Sequence, residues 1–290
     1  MAENRINTIF AGLRGRGGKA LMPFVTAGDP ELGATAGLLE AAERAGASIC
    51  EVGIPFSDPI ADGPVIQASM SRALDAGVRV SQVFDTIADV RPKVGLGLVA
   101  MVSYSIVHRM GLEAFVEHAK DAGFDGFIFP DLPLEESDPA RAAVADADMI
   151  LSMLIAPTTP IERAERIAAA STGFVYVVSR PGITGARSEL PVELPARLER
   201  LRGVTDLPMA VGFGISTADQ VRQVVSVADA AIVGSALVDR VAQAAADTSG
   251  NAGGSGQVSG GGAVVAGERL IAELALGLSP AAEGVSGSAG

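Results

Sequence analysis

The sequence predicts an α/β fold, a (β/α)8 barrel of the TIM type, on two observations. Eight short β-rich apolar runs alternate with Ala/Leu/Glu/Arg-rich segments whose apolar positions recur about every 3.6 residues. The Gly, Pro, Asp and Ser positions that follow these runs are spread over many of them, whereas an open doubly wound sheet would gather its polar signals at one switch point. A chain of 290 residues fits one such barrel as a single domain over 1–290, with extra helices at the N- and C-terminal ends.

The predicted strands are Leu21–Thr26, Ser48–Ile54, Gly95–Val102, Gly126–Phe129, Met149–Ile155, Phe174–Ser179, Met209–Gly212 and Ala230–Val233. Helical spacing is clearest over Glu31–Ala45, Ser81–Val90, Leu112–Ala122, Ile161–Ala170 and Thr217–Val227. Gly46, Gly123 and Gly173 stand between a helical segment and the next strand, where a left-handed residue commonly ends a helix. The run 247–263, DTSGNAGGSGQVSGGGA, reads as a flexible Gly/Ser-rich insert, because it has too little apolar surface to offset the entropy of ordering. A last helix is expected over about Val264–Leu278, and 280–290 reads as a loose tail.

A hydrophobic fraction of 48% supports a sizeable core, and a net charge of -12 argues against nonspecific nucleic-acid binding. An anionic substrate remains compatible, because backbone N–H groups hold phosphate on an acidic protein. The single cysteine, Cys50, permits no intrachain disulfide and reads as a buried packing residue. The N-terminus lacks a signal-peptide layout, and no apolar run reaches the roughly 18 residues of a membrane span. A cytoplasmic location is expected. His108 and His118 read as surface residues, no spacing suggests a metal site and no nucleophile triad is apparent.

The stretch EVGIPFSDPIADGP, 51–64, joins a strand to a loop stiffened by Pro55, Pro59 and Pro64. Strand alternation puts Ile49, Glu51 and Gly53 on one face and apolar Cys50, Val52 and Ile54 on the other, so Glu51 is expected to point into the barrel near its mouth. A buried carboxyl has a raised pKa, which suits a general acid/base near neutral pH. Pairing with an arginine, or capping of a loop, would explain Glu51 equally. Asp58 reads as a turn former, and Asp62 either forms a turn or swings back over the mouth towards Glu51. Gly-rich loops follow late strands at Gly182–Gly185, Gly212–Ser216 and Gly234–Ser235, where barrels commonly bind phosphate, although such glycines also serve plain tight turns. Tyr176 alternates with Phe174 and Val178, and either enters the pocket or hydrogen-bonds to backbone in the core.

Taken together, EVGIPFSDPIADGPVIQ, MPFVTAGDP (22–30), PDLPLEES (130–137), SRPGITGA (179–186), VGFGIS (211–216) and VGSALV (233–238) resemble, in order, the motifs of the tryptophan synthase α-subunit family. The resemblance spans about residues 8–245 and implies a (β/α)8 barrel. It implies a lyase that cleaves indole-3-glycerol phosphate by retro-aldol chemistry into indole and glyceraldehyde 3-phosphate. By motif position Glu51 matches the catalytic acid/base and Asp62 the second catalytic carboxylate. Gly185, Gly214, Gly234 and Ser235 match phosphate-binding positions, Tyr176 a pocket tyrosine and Thr184 a lid threonine. Phe24 and Phe213 are placed to pack on the indole ring, or to serve as ordinary core aromatics. The resemblance further implies no cofactor in this chain, with pyridoxal phosphate confined to a β subunit that completes an α2β2 heterotetramer. A stand-alone indole-forming lyase and a noncatalytic activator of a β subunit are the alternatives. One departure stands out: 102–111 reads VSYSIVHRMG, with Ser105 and Ile106 where many members carry Asn-Pro.

Overall fold

The computed structural model describes residues 4–59, 62–179, 191–212, 214–251 and 260–279. Nine parallel strand segments form one sheet: β1 (Ala20–Thr26), β2 (Ile49–Gly53), β3 (Gly97–Met101), β4 (Gly126–Ile128), β5 (Ile150–Ser152), β6 (Leu154–Ile155), β7 (Val175–Val178), β8 (Met209–Gly212) and β9 (Ala230–Val233). Their order is β5-β4-β3-β2-β1-β9-β8-β7-β6, so the sheet's two ends are consecutive in the chain.

That order is the expected eight-stranded barrel with one strand divided. The run predicted as a single strand over Met149–Ile155 is two segments hinged at Met153. β5 pairs with β4, and β6 pairs with β7. The Met153 N–H is taken by the Ser171 hydroxyl at 3.3 Å instead of a strand carbonyl, which interrupts the ladder there. The Met153 carbonyl still accepts the Tyr176 N–H at 3.1 Å, and this bond helps close the barrel.

Parallel strands buried on both faces need two apolar layers. Met22, Ile49, Val99, Ile128, Phe174 and Ile232 fill the barrel interior. Cys50, Val52, Ile54, Leu98 and Phe127 belong to the layer between strands and helices. The alternation read from β2 is therefore the one the barrel uses. The N-terminal helix Arg5–Gly15 brings Ile6, Phe10 and Leu13 against the interior layer, with the Phe10 and Phe174 rings 5.9 Å apart. Apolar side chains exposed at one end of the barrel are thus covered by a helix outside the eightfold repeat.

The surrounding helices follow the periodicity closely, and Leu112–Ala122 and Ile161–Ala170 coincide with the predicted spans. Gly123 ends the first of these in the left-handed region, φ 99°. The Gly/Ser-rich stretch differs from expectation at both margins. The helix Ser235–Asn251 runs into it, and the last helix begins at Gly261, earlier than Val264. Tertiary contacts offset the poor helix propensity of glycine there: Ala263 is fully buried, and the Gly260 N–H bonds the Glu31 carboxylate at 2.9 Å. The core of the stretch, 252–259, and the tail 280–290 lie outside the described residues.

Candidate active site

A cavity opens at the C-terminal ends of the strands. Glu51 and Asp62 both line it, with Phe24, Met101, Tyr176, Gly214, Gly234 and Ser235 among the other walls. Barrel strands converge on this end, so residues far apart in sequence meet there.

Glu51 enters from β2, level with Phe24 on β1 and Val99 on β3. It is 1% exposed, and neither carboxyl oxygen has a hydrogen-bond partner among the described residues. Among the described residues it neither pairs with an arginine nor caps a loop. Burial, with a smaller contribution from the Asp62 charge, pushes its pKa from 4.5 to about 8. Asp62 comes from the stiff loop after β2. Its N–H bonds the Pro59 carbonyl at 3.0 Å, which turns the chain back over the pocket. Burial raises its pKa from 3.8 to about 6. At neutral pH the site therefore holds one protonated and one ionised carboxyl, a division of states that acid/base chemistry uses. Asp58, by contrast, is exposed, and its carboxylate accepts from the Ser57 hydroxyl at 2.8 Å.

Tyr176 rises from β7 into the same cavity and is buried. Burial first, and then the Glu51 and Asp62 charges, hold its phenol pKa well above the usual value, so it stays a neutral hydrogen-bonding group. Phe24 folds its ring over β2, where Gly53 leaves room: a Cβ there would stand 2.7 Å from Phe24 Cε2. Gly214 takes the left-handed conformation, φ 85°, and bends the chain after β8 along the rim. Gly234 and Ser235 open the helix Ser235–Asn251, whose amino end faces the cavity; the dipole and first-turn N–H groups of such an end favour an anion. Thr184, Gly185 and Phe213 lie outside the described residues.

Five apolar wall residues were not singled out from the sequence: Ile66, Met101, Ile215, Ile232 and Ala236. Met101 and Ile232 each alternate with an inward residue, Val99 and Ala230, so strand parity contained the signal. Ile66 sits on the helix Pro64–Asp75, and only the fold brings that helix to the mouth.

A second cavity adjoins the first, and Asp62 and Met101 line both. Its wall includes Ser103 and Ser105 from the segment that departs from the family pattern. That segment forms the helix Tyr104–Met110, fixed at its start by Asp131, which accepts from the Ser103 hydroxyl at 2.6 Å and the Tyr104 N–H at 2.7 Å. Both histidines are exposed. Among the described residues no group of three or more His, Cys, Asp or Glu side chains is placed to hold a metal ion, and no helix is long and apolar enough to cross a membrane.

The family profile described as tryptophan synthase alpha chain matches residues 10–255. The chain belongs to the tryptophan synthase alpha chain family. Among its relatives, the tryptophan synthase alpha chain of Rhodopirellula baltica is 48% identical over 242 residues, covering 82% of this chain and 87% of the relative. The alpha chain of a Synechocystis strain is 46% identical over 241 residues, covering 83% and 91%. A crystal structure of the tryptophan synthase alpha subunit of Legionella pneumophila superposes with a TM-score of 0.84 at 32% identity, covering 96% of this chain and 99% of that one. As a member of this family, the protein is a lyase that carries out the alpha reaction of tryptophan biosynthesis.

Proposed function

We propose that Glu51 and Asp62 together perform the alpha reaction, the cleavage of indole-3-glycerol phosphate to indole and glyceraldehyde 3-phosphate. The observation that carries this reading is one pocket lined by two carboxyl groups whose pKa values are displaced to about 8 and about 6. Indole is a poor leaving carbanion. Protonated Glu51 donates its proton to the indole C3, which makes the ring an electron sink. Positive charge then develops at the ring N1–H, and ionised Asp62 stabilises it. Glu51, now ionised, takes the proton of the C3′ hydroxyl as the C3–C3′ bond breaks and its electron pair returns to the ring. The aldehyde and neutral indole leave, and Glu51 ends protonated as it began.

Tyr176 orients Glu51 or the substrate, Phe24 packs on the indole ring, and Gly214, Gly234 and Ser235 receive the phosphate at the helix end. Both proton transfers in this scheme are made by Glu51, and Asp62 acts through its charge. Pyridoxal phosphate belongs to the chemistry of a β subunit, the partner that receives indole in an α2β2 assembly. A cytoplasmic location suits such a biosynthetic enzyme. The test is an assay of the purified chain on indole-3-glycerol phosphate, with and without a β subunit. Slow indole release alone and faster turnover with the partner are expected. Full speed alone would favour a stand-alone lyase, and no cleavage under either condition would reject the catalytic reading.

A further inference from the structure

We propose that Gln67 is a positioning residue that holds Asp62 in the pocket by clamping the loop that carries it. The Gln67 side-chain amide donates to the Asp62 carbonyl at 2.8 Å and to the Pro59 carbonyl at 3.3 Å. Both acceptors are carbonyls, so the NH2 end of the amide must face the loop. The Pro59 carbonyl also accepts the Asp62 N–H, so one side chain ties together both arms of the turn. The loop needs such a tie. Pro55, Pro59 and Pro64 have no N–H to donate, and none of the loop's described residues belongs to a strand.

The clamp is mounted on a fixed support. Gln67 lies on the helix Pro64–Asp75, which is bound to β1 and the loop that follows it at three places. The Ser69 and Thr26 hydroxyls are 2.6 Å apart. Arg72 makes two bonds to Asp29, at 2.8 and 2.7 Å. Ile66 and Met70 pack with Phe24. Position thus passes from β1 through the helix and the Gln67 amide to the Asp62 backbone. Glu51 stands level with Phe24 on the same β1–β2 pair, so both carboxyl groups are referred to one rigid frame. A misplacement of about 1 Å at a reacting group costs on the order of 100-fold in rate, so a frame of this kind has a kinetic consequence. Gln67 does not line the cavity. It is exposed, so removing its amide leaves no cavity in the core.

This inference rests on the reading that Asp62 acts in the cleavage, and the test separates the two. Gln67→Met keeps the side chain's length but loses the donor. Gln67→Lys keeps a donor. Both are made in the full chain and assayed with the β subunit on indole-3-glycerol phosphate, beside Asp62→Asn. For Gln67→Met, kcat is expected to fall about 10- to 100-fold while KM stays within about threefold. The melting temperature should move by less than about 2 °C, as for an exposed substitution. Gln67→Lys should recover most of the lost kcat. Among the described residues the titratable groups lining the pocket are Glu51, Asp62 and Tyr176, and Asp58 and Asp131 line the adjoining cavity with Asp62. A displaced Asp62 raises Glu51 less, so the high-pH limb of the rate profile should move to lower pH in Gln67→Met, which a purely structural defect would not cause. If Asp62→Asn loses turnover but Gln67→Met matches the parent in kcat and pH profile, the clamp is wrong and the site reading stands. If Asp62→Asn keeps full turnover, the site reading fails and the clamp fails with it.

Discussion

Gly212 and Tyr176 lie so close that a Cβ on the glycine would overlap the tyrosine hydroxyl and stand 2.8 Å from Cζ. They occupy adjacent strands, β8 and β7, where Tyr176 is level with Ala210 and Val178 with Gly212. The phenol reaches the pocket because nothing projects from position 212. Gly212→Ala is expected to push the ring out of place and to lower kcat/KM about tenfold or more. Adding Tyr176→Phe should restore part of the loss, since the overlapping oxygen is gone. Steady-state kinetics on the single and double variants check this, and parental activity in Gly212→Ala would show that the ring has other room.

Glu51→Gln removes the only group in the scheme that donates and accepts protons. Turnover should fall by about 10² to 10⁴, the usual range for a general acid/base, with a small change in KM. Indole release measured at substrate saturation decides it.

The same substitution should raise stability at high pH. The folded-state pKa of Glu51, about 8, lies above its ordinary 4.5, so the native state binds this proton more tightly than the unfolded chain. Stability linked to Glu51 is full below about pH 4.5 and declines as pH rises to about 8, where the charge must be buried. Glu51→Gln has no such charge. Denaturant titrations should show it gaining about 1 kcal/mol or more over the parent between pH 5 and pH 8.5.

The rate profile should be bell-shaped. The scheme needs ionised Asp62 and protonated Glu51, so kcat rises through about pH 6 and falls through about pH 8. The two groups interact, and the limbs belong to the pair. Asp62→Asn should abolish the acid limb and lower kcat by about 10² to 10³, as for loss of an electrostatic stabiliser. An unchanged acid limb in that variant would assign it to another group.

Arg72→Met leaves the Asp29 carboxylate, 4% exposed, without its bidentate partner. Breaking a buried pair costs about 3 kcal/mol or more, but Arg72 is about half exposed, so about 2 kcal/mol is expected. Asp29→Asn in the same chain should return part of it, and a double-mutant cycle by chemical denaturation measures the coupling.

Most of the barrel was legible because its signals are local. Period-2 runs set the strands, and in β2 parity alone placed Glu51 inward and Cys50 outward. The division of the fifth strand was not legible, because it depends on the Ser171 hydroxyl taking the Met153 N–H from 18 residues away. The helical margins of the Gly/Ser-rich stretch were hidden for a similar reason. Glycine there is unfavourable for helix locally, and the bond from Gly260 to Glu31 joins residues 229 apart.

By itself the sequence determined the strand order, the inward face that carries Glu51, the stiff acidic loop and the family. Those properties are written in short-range alternation, proline geometry and motif order. Only the tertiary structure decided that Glu51 has no hydrogen-bond partner among the described residues, that Asp62 shares its cavity, and that Gln67 and Gly212 shape the site without touching its chemistry. Burial and close approach arise from elements distant in the chain, and a carboxyl's pKa or a glycine's necessity follows from what surrounds it in space.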